Sequence, residues 1–185
     1  SLLHSFVLVY AERIFVEQEE WRFLKFLELW GVDTFRDEDW KETKKDDKVF
    51  KSLASKCIKK ACDAALSLPQ IGDVAWLLRC VQKGLALNKG DVWLRRDYAL
   101  LLSKLGQLDE ARKVFKELLS ALNDKFYFWH ELAACYEGDT KQRMAMLCKA
   151  LTIERNEDFI GDVRLGLARC LIEEGMTGEA AVELM

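Results

Sequence analysis

His130 and Glu131 open the pattern by which a helix holds catalytic zinc: two histidines four residues apart face one metal, with a glutamate between them as base. Position 134 is Ala134, so the second ligand is missing. His4 is the other histidine, which leaves no material for a histidine-based metal site or a Ser-His triad. Cys57, Cys62, Cys80, Cys135, Cys148 and Cys170 are scattered through apolar helical stretches with no C-x-x-C pair. They read as small buried hydrophobes of a reducing compartment, not as zinc ligands. No G-x-S-x-G, G-x-G-x-x-G or G-x-x-x-x-G-K-[ST] stretch occurs; Gly84 to Gly90 contains Lys89 but no following Ser or Thr. The acidic run from Asp37 has Glu42 where a calcium loop needs its turning glycine. No carboxylate pair is marked as buried or convergent. The chain is therefore expected to be non-enzymatic, with no cofactor and no metal, and its chemistry is sought in what its surface binds.

The 185 residues carry 28 Lys+Arg against 31 Asp+Glu, a formal net charge of −3, with half the residues apolar, 10 glycines and one proline. A chain of this length folded as one unit buries roughly 70% of its unfolded surface, so a core forms without disulfides or metal. Few prolines and glycines beside much Leu, Ala, Lys and Glu lean towards helix. The near-neutral balance removes the simplest case for a nucleic-acid binder. The apolar run Phe6 to Val9 is far shorter than the roughly 20 residues of a membrane span, and no basic segment precedes it, so the expected location is cytoplasmic, with no membrane partner.

Residues 1–30 read as two helices, the second carrying Trp21, Phe23, Leu24, Phe26, Leu27, Leu29 and Trp30 before a stop at Gly31. These helices offer more apolar surface than a monomer tolerates unless they pack on the array, on a second copy or on a missing domain. Residues 32–46 lose periodicity and collect charge, as a solvated connection with Trp40 as its one anchor. From Val49 a fixed period appears: Gly72 and Gly106 are 34 residues apart, and Val74/Leu108, Val81/Phe115 and Leu85/Leu119 share that separation. Gly138 arrives two residues early and Gly175 compensates, which shortens the turn in the third unit. Ala99 and Ala111 flank Gly106, and Ala168 and Ala180 flank Gly175, as antiparallel helices need where their backbones approach.

Trp129, Leu132, Ala133 and Tyr136, the turn Gly106-Gln107-Leu108-Asp109-Glu110-Ala111, and the close Lys149-Ala150-Leu151 together resemble a tetratricopeptide repeat. Leu77 stands where unit one should have a small residue, and the proline that usually ends a unit is absent. The resemblance implies an all-α, right-handed αα superhelix: N-terminal capping helices over 1–57, then about four repeats at 58–91, 92–125, 126–160 and 161–185. The chain as a whole also resembles an uncharacterised group of bacterial tetratricopeptide proteins, through Trp30, Phe35-Arg36-Asp37-Glu38-Asp39, Ser52-Leu53-Ala54 and Val163-Arg164-Leu165. In that group a cold-shock-like barrel often follows the repeats, which implies RNA association; this chain stops before one. The short last helix predicts that the natural protein continues past Met185.

The repeat register implies a concave groove formed by the first helix of each unit. Lys59, Cys62 and Leu66, then Trp93, Arg96, Leu100 and Lys104, then Tyr127, His130 and Ala134, then Leu165, Arg169 and Ile172 would line it, against the acids Glu137, Asp162 and Glu173. Cations beside aromatic anchors suit an extended protein or peptide with acidic and apolar side chains. Trp93 and Tyr127 are either presented to that ligand or packed on a neighbouring unit. The family's chaperone-tail clamp needs asparagines where Leu66, Leu100 and Ala134 stand, so that partner class is excluded. RNA is the alternative ligand, through the groove and a basic patch at Lys44, Lys45, Lys48 and Lys51 in a run continuing to Lys56, Lys59 and Lys60 along a helical face. A third reading is self-association through the aromatic helix at 18–30. The oligomeric state is not encoded in any motif.

Overall fold

The computed structural model describes residues 2–15, 20–31, 35–45, 48–68 and 74–185; Asp33, Asp46, Asp47, Gly72 and the Lys45 side chain lie outside the described part. Among the described residues there are ten α-helices, one 3-10 turn and one two-stranded hairpin. The fold is all-α and of the tetratricopeptide-like repeat type. The chain divides into two compact units, Ser1–Leu105 and Gly106–Met185.

The first unit contains α1 (Leu2–Ile14), α2 (Glu20–Trp30), a 3-10 turn (Asp37–Trp40), β1 (Thr43–Lys45), β2 (Lys48–Phe50), α3 (Leu53–Ser67), α4 (Ala75–Leu87) and α5 (Val92–Lys104). Helix α3 is its centre because it is lined with small residues. Ala54, Cys57, Ala61, Cys62, Ala64 and Ala65 are all buried around Ile58, so α1, α2, α4 and α5 approach it closely. Ser52 caps α3 by accepting from the Ser55 amide at 3.1 Å, and Asp91 caps α5 by accepting from the Leu94 amide at 3.0 Å. Lys60 reaches from α3 to the carbonyls of Glu12 and Phe15 at the end of α1, with its ammonium 5.3 Å from the Phe23 ring centre.

The acidic connection is more ordered than its composition suggests. Phe35 and Asp39 are buried beside Trp40, so the segment has three anchors. Ser5 on α1 donates to the Asp39 carboxylate at 2.7 Å, Arg36 Nε donates to the Ser5 hydroxyl at 2.8 Å, and the Arg36 amide donates to Asp39 at 3.0 Å. Burial would raise the Asp39 pKa, but the Ser5 and Arg36 hydrogen bonds hold it below the ordinary carboxylate value. Trp40 lies over Gly84 of α4, where a Cβ would stand 3.6 Å from the indole and 2.8 Å from Leu94. The lysine-rich stretch that follows is a hairpin, not a helical face. Lys44 pairs with Val49 and Lys45 with Lys48, and alternation along a strand puts Lys44 and Lys48 on opposite faces.

The aromatic helix α2 turns inward. Phe23, Leu24 and Leu27 are buried, and Phe26 and Trp30 are partly so, leaving Trp21 and Leu29 exposed. The apolar stripe that remains in solvent belongs to α1 instead.

The second unit contains α6 (Leu108–Ala121), α7 (Phe126–Ala134), α8 (Thr140–Ile153), α9 (Glu157–Glu173) and α10 (Thr177–Glu183), each packed on the next in order. Phe115, Phe128, Leu132, Leu147, Ile160 and Val163 fill its core, with Ala111, Ala133, Ala150, Ala168 and Ala180 buried where helices meet. Gly31, Gly106, Gly138 and Gly175 all have φ near +80°, between 76° and 80°. This is the left-handed residue that stops a helix, and it explains why glycine marks the period. The early Gly138 follows from α7, the shortest first helix of the set. Arg112 of α6 secures that short helix by donating to the Cys135 carbonyl at 2.9 Å, its guanidinium 4.9 Å from the Tyr136 ring centre. Asp139 and Asn156 cap α8 and α9 through the Gln142 and Asp158 amides at 3.0 and 3.1 Å. No helix among the described residues is long and apolar enough to cross a membrane.

Candidate partner-binding faces

In the second unit one turn of α7 and two turns of α9 meet across a cleft of about 320 Å³. His130, Ala133 and Ala134 on α7 are at spacings of three and four, and Asp162, Leu165, Gly166 and Arg169 on α9 repeat that spacing, so each set shares one helix face. The floor is apolar: Ala133 and Leu147 are buried, and the Leu147 methyls would stand 3.5 Å from a Cβ at Gly166, ordinary contact distance. The rim is polar. Arg143 of α8 is 3.4 Å from Glu173, which also accepts from Thr140 at 3.0 Å. His130, Asp162 and Arg169 have no hydrogen-bond or ion-pair partner among the described residues. Asp162 and Arg169 are seven residues apart, about 10 Å along a helix axis. The cleft is therefore bipolar, with a carboxylate at one end, a guanidinium at the other and leucines between them.

Tyr127 is half-buried and stays off this cleft, in edge contact with Phe126 and Phe128 at centroid distances of 5.6 and 4.6 Å. The position of α8 in the cleft was not expected, since the register assigns the groove to first helices. No local signal in the sequence marks α8 as part of the cleft.

In the first unit the face holding Lys59, Trp93, Arg96, Leu100 and Lys104 differs from expectation. Lys59 donates to Asp63 and stands 3.4 Å from the Asp97 carboxylate. Lys104 donates to the carbonyls of Leu66 and Leu68 at the C-terminal end of α3, the negative end of that helix; desolvation lowers its pKa. Both lysines, expected to meet ligand carboxylates, are engaged internally. Asp97 is only 1% exposed and its Oδ2 has no hydrogen-bond partner, and burial outweighs Lys59 to raise its pKa to about 6. Sequence reasoning passed over Asp97, although it falls four residues after Trp93 on the same stripe. Trp93 is 45% exposed, with the Arg96 guanidinium 5.9 Å from its ring centre, so it is presented to solvent. Leu100 and Leu66 are half-buried, whereas Cys62 is fully buried and belongs to the core.

Within the basic patch, Lys44 and Lys48 stand on opposite faces of the hairpin. Lys44, Lys48 and Lys51 are exposed, Lys51 lies 4.0 Å from Asp91, and Lys59 and Lys60 are spent on internal contacts. Of the cysteines, Cys57, Cys62, Cys80, Cys135 and Cys170 are buried and Cys148 is exposed. Burial pushes the Cys57 thiol up to about 12. His4 accepts from the Trp30 indole at 3.3 Å. Among the described residues no three His, Cys, Asp or Glu side chains are placed to hold a metal.

No curated protein matches the chain in sequence. Solved structures of MamA do match in fold. MamA from Desulfovibrio magneticus RS-1, residues 41 to the end, is 15% identical with a TM-score of 0.66, over 98% of this chain and 91% of that one. A MamA RS-1 double mutant is 16% identical with a TM-score of 0.65, over 98% and 90%. MamA AMB-1 is 16% identical with a TM-score of 0.58, over 88% and 86%. Identities this low carry the helical-repeat fold and nothing more specific. In sequence, the family described as "Domain of unknown function (DUF7017)" matches residues 92–185, just over half of the chain, and the chain belongs to that family.

Proposed function

We propose that the chain is a non-enzymatic protein-interaction scaffold that holds an extended segment of a partner protein against the first helices of its repeats. The observation carrying this reading is the α7–α9 cleft, where His130, Asp162 and Arg169 are unpaired around an apolar floor. An extended chain in the polyproline II form advances about 3.1 Å per residue with three residues per turn, so a basic and an acidic side chain three residues apart share one face roughly 9 Å apart, close to the spacing of the two charges, with apolar residues between them. Within the first unit, taken by itself, the exposed Trp93 with the partly buried Arg96 beside it is a contact of the kind that dominates binding interfaces. An RNA-associated role has the hairpin lysines as its support, and the opposite faces of Lys44 and Lys48 weaken it.

A labelled unstructured peptide with repeating Lys, Leu and Asp residues at that spacing tests the reading by fluorescence anisotropy. Arg169→Glu is expected to weaken binding at least tenfold, about 1.4 kcal/mol, with helix content unchanged because Arg169 is exposed. Equal binding by Arg169→Glu and the parent chain would sink the cleft reading. Single-stranded RNA is the comparison ligand: affinity that falls steeply with salt would transfer the function to Lys44, Lys45, Lys48 and Lys51.

A further inference from the structure

Helix α1 buries Leu8 and Ala11 against the first unit and turns a second apolar row outwards. Leu2 is 64% exposed, Leu3 71%, Phe6 63%, Tyr10 70% and Ile14 53%. Leu2, Phe6, Tyr10 and Ile14 are spaced by four throughout, so they form a single i±4 ridge along the helix. Beside the ridge runs an open apolar trough of about 750 Å³, with Phe15 and Phe26 lining its far wall. The same patch thus carries both a ridge and a groove, which an isologous interface requires because each copy must offer what the other fills.

We propose that this face pairs with the same face of a second copy of the chain, the two α1 helices packed antiparallel about a two-fold axis at Leu8. The row is its own complement about that point. Phe6 meets the partner's Tyr10 and Leu2 meets the partner's Ile14; the row itself carries no charge, and the exposed Arg13 lines the trough beside it. Two i±4 ridges interdigitate at a crossing angle near −50°, the commonest helix packing in globular proteins. Covered completely, the five exposed residues contribute at most on the order of 600 Å² per copy, which brings two copies to the lower bound of about 1,200 Å² for a specific interface. The proposal is independent of the α7–α9 cleft.

Sedimentation velocity of the full chain from roughly 1 to 200 µM tests it, since an interface at this lower bound is expected to associate in the micromolar range. The expected result is a concentration-dependent monomer–dimer equilibrium. Phe6→Asp and Tyr10→Lys should each raise the dissociation constant at least about 30-fold with unchanged circular dichroism, since both side chains are exposed. An equimolar mixture of the two variants should recover dimer, because Asp at position 6 of one chain then faces Lys at position 10 of the other. A parent chain that stays monomeric throughout overturns the proposal without any variant, and so does one that instead sediments with phosphatidylcholine vesicles. A dimer indifferent to both substitutions overturns it too, and failure of the mixture to recover dimer overturns the antiparallel pairing.

Discussion

Phe128→Ala should lower the free energy of unfolding by about 3–5 kcal/mol, the range for losing a fully buried phenylalanine. Phe128 is fully buried, and its ring meets the edge of Tyr127 at a centroid distance of 4.6 Å. The short α7 has only Phe128, Leu132 and Ala133 buried, so it depends on the phenylalanine for its docking. Truncation leaves a cavity that so short a helix cannot close without moving. His130, two residues on, would move with it, and the cleft between α7 and α9 would lose its geometry. Urea unfolding followed by circular dichroism measures the loss. Trp93→Ala, at a site 45% exposed, should cost under about 1 kcal/mol in the same experiment. A comparably small loss for Phe128→Ala would mean that α7 is not held by this face.

Asp97 gives the second large effect, through pH. Its pKa rises from 3.8 in an unfolded chain to about 6 in the folded one, because burial disfavours the carboxylate more than Lys59 supports it. A raised folded-state pKa favours the folded form while the group is protonated. That contribution is fully present below pH 3.8 and is lost as pH rises through about 6. A shift of about two units corresponds to roughly 3 kcal/mol. Asn imitates the neutral acid, so Asp97→Asn should match the parent chain near pH 3.5 and exceed it by roughly 3 kcal/mol at pH 7.5. Taking the difference between the two chains removes the opposite trend from Asp39, whose depressed pKa makes its stabilisation fade as pH falls. Parallel stability curves from pH 3.5 to 7.5 would show that Asp97 titrates like an exposed carboxyl.

The helices were legible because local rules set them. Positive-φ glycines fall at 31, 106, 138 and 175, and the paired alanines lie where helices approach. Cleft membership followed from the same spacing for His130, Ala134, Leu165 and Arg169. Long-range contacts were not legible. The destinations of Lys60 and Lys104, carbonyls 36 to 48 residues away, have no local signature. The hairpin was hidden because Thr43, Val49 and Phe50 are its only strong strand formers in a lysine- and aspartate-rich stretch. The burial of α2 and the exposure of α1 were indistinguishable by composition, since both helices are apolar over more than one face. Only the packing around α3 decides which stripe is covered.

The central claim is that the chain works by holding a partner segment between α7 and α9. An NMR titration of the isotope-labelled chain with the Lys-Leu-Asp peptide tests it residue by residue. The account predicts amide shifts concentrated at His130, Ala134, Leu165 and Arg169, and their loss in Arg169→Glu. Shifts confined to the hairpin at residues 43–50, or spread without focus over the chain, would contradict it.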